Sequence, residues 1–478
     1  MFFILLLGVF LRLTFINKAE GLWNDEYVSW MISATPFNQG FWNEVFKQCH
    51  MPLYYLYLKP FSGCSDLILR LTSLVPSVIA IWIMYLIGKE YSKKTGIFAA
   101  SITSVLSFLV YYAQEVRFYS ILFLFSAFTL FYTIRLLKEN NIKNLSGYII
   151  SSLLIIFTHI LGIIFVFLNT LYILYKYKKL TKVFIIWFSI ISLALLPLFI
   201  NIMAQLPSSQ WWGKFSYTNI LFLFSDYLSP ILTNNVNAPP IFFYNIKYAL
   251  WITIPTVIGI LGVVFAIKNN KGVTVAAFLY IVALSILAAS GKIVFITKYS
   301  IETLPIIILL LSVGFTRTNK FGLILFALFI SFHLASFFTP YYVTKIYRSE
   351  GHRIVGEILN HRNPEKIIYT YYAPDRFKRY YKDNVKEFYV SKVNRFEYKN
   401  SPVKILDNIN NGEIFSIVFL DSVSFLDEDY LKKYKNNIPE MFATFSHIRN
   451  ALVDELENNY KIISVDVSGS WTVITAKK

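Results

Sequence analysis

Ser146 to Tyr175 reads SGYIISSLLIIFTHILGIIFVFLNTLYILY, thirty residues whose only ionisable group outside the tyrosines is the imidazole of His159. About 20 apolar residues suffice to cross a bilayer, so this stretch is either one long tilted helix or two short ones, and its flanks decide. Arg135, Lys138 and Lys143 precede it and Lys176, Lys178, Lys179 and Lys182 follow it. Basic loops mark the cytoplasmic side of a membrane, which puts both flanks on one side and requires an even number of crossings. Two short helices turning at His159 satisfy that parity.

Working outward, similar apolar runs occur near 2–16, 66–88, 95–112, 118–137, 183–203, 247–267, 273–290, 299–315 and 321–339, giving about eleven spans with the divided stretch. Hydrophobic residues make up 56% of the 478 and charged residues 15%, far from the composition of a soluble globular chain. A net charge of +17 would suggest a nucleic-acid partner in a soluble protein. Its distribution excludes that reading: residues 1–339 carry 24 Lys/Arg against 10 Asp/Glu, and 340–478 carry 21 against 18. The surplus lies between the apolar runs. Loops holding Lys89, Lys93, Lys94, Lys268, Lys271, Arg317 and Lys320 alternate with short loops holding only Arg117, Lys292 and Lys298. This bias predicts a cytoplasmic N-terminus, with 17–65, 204–246 and the C-terminal part exported. The first run lacks the basic start and small-residue cleavage site of a signal peptide and reads as a short span. Its minimal cytoplasmic lead allows a true start upstream of Met1.

From residue 340 the composition shifts to mixed charge with short β-like runs. Strands are expected at Ile367–Tyr372, Phe388–Val390, Ile414–Phe419 and Met441–Ser446, a helix at Asn450–Tyr460, and a hairpin from Lys461–Val467 and Trp471–Ala476 around Ser468-Gly469. The expected organisation is a polytopic α-helical membrane module at 1–339 and a small exported α/β domain at 340–478. No Gly-rich phosphate loop, long repeat or low-complexity tract occurs. Cys49 and Cys64, the only cysteines, share the first outward segment. They can close a loop worth about 3 kcal/mol or remain thiols.

Acids are scarce in the membrane module, which draws attention to Asp25 and Glu26 in GLWNDEY, just beyond the first span. Ionisable groups at a membrane boundary are costly unless solvated or paired. The two read as a carboxylate pair able to deprotonate a hydroxyl or hold a cation, or as a solvated loop pair. His50, Pro52, Tyr54, Tyr55 and Tyr57 follow in the same segment. Pro52 keeps Met51 extended, favouring an interfacial loop, and the tyrosines suit an aromatic belt or a sugar-stacking surface. Between the third and fourth spans, YYAQEVRFY (111–119) packs Glu115 and Arg117 into a very short outward turn ending at Tyr119. An arginine at that depth suits bidentate phosphate binding or an internal pair with Glu115. His159 marks the next outward turn and Trp211-Trp212-Gly213-Lys214 the long outward loop. Lys298 opens the tenth span, to neutralise a phosphate or to snorkel. Glu302, four residues on, is expected to pair with Lys298 or Arg117.

Taken in order, these clusters resemble the GT-C superfamily of membrane glycosyltransferases. The motifs are the carboxylate pair, His-x-Pro-Leu-Tyr-Tyr at 50–55, Leu-Arg-Leu at 69–71, Tyr-Tyr-x-Gln-Glu-x-Arg-x-Tyr at 111–119, and Thr158-His159. The branch they resemble contains the protein mannosyltransferases, the lipid A aminoarabinose transferases and transferases of lipopolysaccharide cores. Beyond residue 175 the likeness rests on Lys298-Tyr299 with Pro305. It implies an inverting transferase that moves a sugar from a polyprenyl-phosphate donor to an envelope glycolipid, polysaccharide or protein at the outer face of a bacterial plasma membrane. It further implies Asp25 as base with Glu26 its partner, and His50, Arg117 and Lys298 near the donor phosphate or acceptor. Tyr54, Tyr55, Glu115, Tyr119 and His159 share the same motifs. Some superfamily members use a divalent ion, for which Asp25 and Glu26 are the candidate ligands; no other cofactor is implied. Met51 stands where the family usually has proline, and Lys298 where it usually has arginine. A transporter or flippase of lipid-linked sugars would share the hydropathy, as would a receptor or scaffold binding through its exported domain.

Overall fold

The computed structural model describes residues 1–16, 21–48, 50–205, 218–230, 246–267, 271–290, 297–338, 352–369, 379–381, 385–389, 402–420, 440–468 and 471–478. Cys49, the Trp211–Lys214 stretch and the Gly469 turn lie outside them. The chain divides into two compact units, one of Met1–Ile16 and Val28–Ile346, the other of Asn17–Tyr27 and Tyr347–Lys478.

Every apolar run is helical. The chain order is α1 (Phe2–Leu13), α2 (Asn24–Ala34), α3 (Gln39–Lys47), α4 (Leu53–Leu58) and α5 (Asp66–Lys89). Then come α6 (Lys93–Val105), α7 (Ser107–Tyr112), α8 (Tyr119–Lys138), α9 (Ile142–Thr158), α10 (Gly162–Lys176), α11 (Thr181–Gln205) and α12 (Thr218–Leu228). The unit finishes with α13 (Ile246–Ile267), α14 (Lys271–Ala289), α15 (Leu304–Arg317) and α16 (Asn319–Ser336). Among the described residues six helices are long and apolar enough to cross a membrane by length and composition, and four shorter apolar helices accompany them. The 146–175 stretch is two helices: α9 ends where His159 turns extended (φ −150°, ψ 127°), and α10 begins at Gly162.

The helices pack around α15. Leu304 to Phe315 are all buried, and α5, α6, α8, α13, α14 and α16 contact them. On the periphery, Ile185, Ile186, Ile190, Leu193 and Ile200 of α11 are exposed, an apolar surface suited to lipid. The protein is an integral, multi-pass membrane protein.

The third apolar run is interrupted. Leu106 (φ −58°, ψ 113°) separates α6 from α7 without a proline or glycine. Just before it, the hydroxyls of Thr103 and Ser104 bond back to the carbonyls of Ala99 and Ser101, which competes with regular helix geometry. Backbone groups freed by a break in an apolar phase need new partners, and two side chains supply them. Arg12 of α1, fully buried, donates to Thr103 O (3.0 Å), Ser104 O (2.8 Å), Gly8 O (3.1 Å) and Ser77 Oγ (2.8 Å). The Ser107 N–H donates to His333 Nδ1 (3.3 Å).

The second unit contains a five-stranded sheet in the order β2-β1-β3-β5-β4. Its strands are β1 (Lys366–Tyr369), β2 (Lys386–Tyr389), β3 (Ile414–Leu420), β4 (Lys461–Ser468) and β5 (Trp471–Lys477). β1 pairs in parallel with β2 and β3, while β5 runs antiparallel to β3 and β4. Alternation along β3 feeds two cores. Phe415, Ile417 and Phe419 meet Leu452 and Leu456 of α18 (Glu440–Asn459), and Val418 meets Val355 and Leu359 of α17 (His352–Arg362). The β4–β5 hairpin is as expected. Met441–Ser446 is not a strand: it belongs to α18. Apolar residues at 441, 445, 448, 452 and 456 recur every three to four positions, a helical period that a six-residue window cannot reveal.

Candidate active site

Arg117 belongs to the turn between α7 and α8, and the whole turn is buried: Gln114, Glu115 and Arg117 are 7%, 6% and 4% exposed. Gln114 anchors it, its amide donating to Arg12 O (2.9 Å) and Thr14 O (2.8 Å) at the end of α1. Arg117 then donates from one guanidinium nitrogen to Ser29 Oγ (3.2 Å) and lies 5.1 Å from the centre of the Phe118 ring and 5.9 Å from that of Tyr119. Ser73 Oγ donates to its carbonyl at 3.4 Å. A guanidinium braced by rings at this depth keeps the planar fork that suits a phosphate.

Phe118, which the motif reading passed over, is the hub. His50 and Tyr54 meet its ring edge-on, at 5.9 Å and 6.2 Å between centroids. His159 stacks on it at 5.2 Å, and Tyr299 stacks on His159 at 5.9 Å. His50 Nδ1 and the Tyr55 hydroxyl share a hydrogen bond. Lys298 Nζ lies 5.6 Å from the Tyr119 ring centre and 5.7 Å from that of Tyr299. The fold thus brings His50, Tyr54, Tyr55, Arg117, Tyr119, His159 and Lys298 into one aromatic cluster carrying two permanent cations. Glu115 is buried in the same turn.

Glu302 departs from expectation. Fully buried, it accepts a hydrogen bond from His159 Nδ1 (3.1 Å) rather than pairing with Lys298 or Arg117. The reason is local geometry: Thr297–Thr303 is a 3-10 turn kinked at Ser300, not the start of an α-helix. At three residues per turn, positions i and i+4 point in different directions, so Lys298 and Glu302 diverge. The carboxylate fixes the imidazole's orientation.

Asp25 and Glu26 belong to the second unit and lie in the first turn of α2, where the helix dipole favours negative charge. They do not form a solvated loop pair. Glu26 is 2% exposed and accepts the Trp23 N–H at 3.1 Å, the reciprocal half of a capping box. Asp25, one residue earlier and partly exposed, is the member not committed to that cap. Among the described residues no group of three or more His, Cys, Asp or Glu is arranged to hold a metal ion.

Two further groups escaped the sequence reading. Arg12 is one, and its position inside an apolar span was the available signal. Asp226 of α12, 1% exposed, is the other. The neighbouring Tyr227 hydroxyl shares a hydrogen bond with Ser300 Oγ (2.8 Å) and so ties α12 to the Lys298 turn. Arg70 of the Leu-Arg-Leu motif is 2% exposed and donates to Ile16 O at 3.4 Å.

Residues 55–203 match the dolichyl-phosphate-mannose-protein mannosyltransferase family. No curated protein sequence matches the chain significantly. Among solved structures, the chain is similar to ArnT from Cupriavidus metallidurans in the apo state, with TM-score 0.58 and 9% identity over 99% of this chain and 97% of that one. ArnT bound to undecaprenyl phosphate gives 0.54 and 11% with the same coverage. The Archaeoglobus fulgidus oligosaccharyltransferase complexed with Zn and sulfate gives 0.50 and 10%, over 88% of this chain and 68% of that one. At these identities the likeness is one of fold: the chain shares the architecture of these solved proteins.

Proposed function

We propose that this protein is an inverting glycosyltransferase that takes a sugar from a polyprenyl-phosphate carrier and passes it to a hydroxyl of an envelope glycolipid, polysaccharide or protein at the outer face of a bacterial plasma membrane. The observation that carries the reading is the pair of cations, Arg117 and Lys298, braced by aromatic rings in one cluster. Support also comes from the matched mannosyltransferase family and from a relative of the same fold seen with undecaprenyl phosphate bound.

A lipid phosphate is a competent leaving group, so the reaction needs cations for the charge that develops on it rather than a strong general acid. In the proposed step Asp25 takes the proton of the acceptor hydroxyl, and that oxygen attacks the anomeric carbon opposite the phosphate. The bond from that carbon to the phosphate oxygen breaks through an oxocarbenium-like state. Its electron pair leaves with the phosphate, where Arg117 and Lys298 offset the charge. Glu26 caps the helix carrying the base, and the rings around Phe118 offer stacking faces for the sugar. Purified protein in lipid nanodiscs, given a labelled polyprenyl-phosphate sugar and candidate acceptors, is expected to release free lipid phosphate and label an acceptor. Movement of intact donor across the bilayer of proteoliposomes without cleavage would establish a flippase instead.

A further inference from the structure

The strongest unexplained feature is the way the second unit grips the residues just before Asp25. Leu22 is 1% exposed and belongs to no helix or strand, yet side chains satisfy both of its backbone groups. Its N–H donates to the Tyr380 hydroxyl at 2.8 Å, and its carbonyl accepts from His352 Nδ1 at 2.9 Å. His352 is itself 1% exposed. Most backbone groups in proteins pair with backbone or water, so an irregular residue held on one side by a buried histidine and on the other by a part-buried tyrosine is a built feature.

Neighbouring contacts reinforce it. Gly21 has φ +120°, a region that L side chains rarely adopt. A Cβ there would meet Arg353 N at 2.8 Å. Tyr380 lies against the same helix: a Cβ on Gly356 would fall 2.4 Å from Tyr380 Cβ, and Asn360 Nδ2 donates to Tyr380 O at 2.7 Å. His352, Gly356 and Asn360 fall at i, i+4 and i+8, one stripe of α17. That stripe holds Leu22 directly through His352 and indirectly through Tyr380. One residue further, Trp23 N–H meets Glu26 and α2 begins with Asp25 in its first turn.

We infer that the C-terminal unit sets the working position of the base, with His352 and Tyr380 as positioning residues that act through the backbone of Leu22. The inference rests on the reading of Asp25 as the base. A base must stay within hydrogen-bond reach of the proton it takes, and a displacement of about 1 Å can cost about 10²-fold in rate. Only Trp23 and Asn24 separate Leu22 from Asp25, and the capped helix start between them transmits any displacement.

The test uses the full-length protein in nanodiscs, with single-turnover sugar release and donor affinity measured for each variant. Tyr380→Phe removes one oxygen and His352→Ala the donor to Leu22. Each is expected to lower turnover about 10-fold while leaving donor affinity unchanged. His352→Asn, whose amide nitrogen takes the place of Nδ1, is expected to restore most of the rate. In an Asp25→Asn background, His352→Ala is expected to add no further loss, since both act on one step. Full turnover in both single variants, an undiminished extra loss in the Asp25→Asn background, or donor affinity falling in step with turnover would overturn the inference. Tyr380→Phe carries the test alone if His352→Ala does not fold. Near-normal transfer by Asp25→Asn is a separate failure, of the base itself, and the inference falls with it.

Discussion

Arg117 and Asp25 are the side chains on which the proposed chemistry turns, and each admits a substitution that keeps size or charge while removing one property. Arg117→Lys retains the positive charge but not the planar fork. Donor affinity is expected to fall about tenfold with the fold intact, read by titrating the purified variant with a polyprenyl-phosphate sugar; unchanged affinity would leave Arg117 a structural residue bound to Ser29. Asp25→Asn keeps shape and hydrogen bonding but cannot accept a proton, so single-turnover release is expected to slow by about 10²-fold or more with donor binding retained. Glu26→Gln is expected to be milder, because the amide oxygen can still cap Trp23. At this scale His50, Tyr54, Tyr55, Arg117, Tyr119, His159 and Lys298 were legible in the sequence and gather within the first unit, while Asp25 and Glu26 belong to the second. Phe118 was not, because its role depends on contacts from segments around 50, 54 and 159 that no spacing reveals. Glu302 was misassigned because helical spacing was assumed where the backbone is 3-10.

Apolar length and flanking charge translated directly into helices, since crossing a bilayer demands a continuous hydrogen-bonded segment. What they left hidden was the interruption at Leu106, whose stability depends on a partner more than ninety residues away. Arg12 closes that interruption with hydrogen bonds to the carbonyls of Thr103 and Ser104. Arg12→Met would leave the carbonyls of Thr103 and Ser104 without their charged donor and is expected to destabilise the first unit by about 2–3 kcal/mol. Arg12→Lys, with one ammonium in place of a fork, is expected to recover only part. Thermal unfolding in micelles reads both, and an unchanged melting temperature in Arg12→Met would show that the break stands unaided. In the second unit, Glu413 is held by Lys366 and the Asn410 N–H, which keep its carboxyl down at about 2. A depressed folded-state pKa contributes stability above the ordinary carboxylate value of about 4.3, lost as pH falls through the folded value. Glu413→Gln is therefore expected to lower amide protection in β1 and β3 at pH 7, and the difference from the parent protein to shrink below about pH 4. A pH-independent difference in hydrogen exchange would assign the effect to packing instead.

For the molecule as a whole, the alternation of basic loops predicts sidedness. A reporter fused after Lys478, or inserted in 204–246, is expected to be active only on the exported side. Cytoplasmic activity at either place would invert the orientation and remove the carboxylates from the outer face. Composition pointed to two parts of the chain, but not to the grouping of residues 17–27 with the second unit, because that segment's partners are single side chains on α17 and at Tyr380. The grouping also has a consequence in time. About 320 residues separate Tyr27 from Tyr347, and at about 5–20 residues per second a ribosome needs about 15–60 s to travel between them. For that interval the nascent chain carries Asp25 and Glu26 with none of α17 yet made. Until α17 is made, Leu22 lacks the His352 donor that holds its carbonyl in the complete chain.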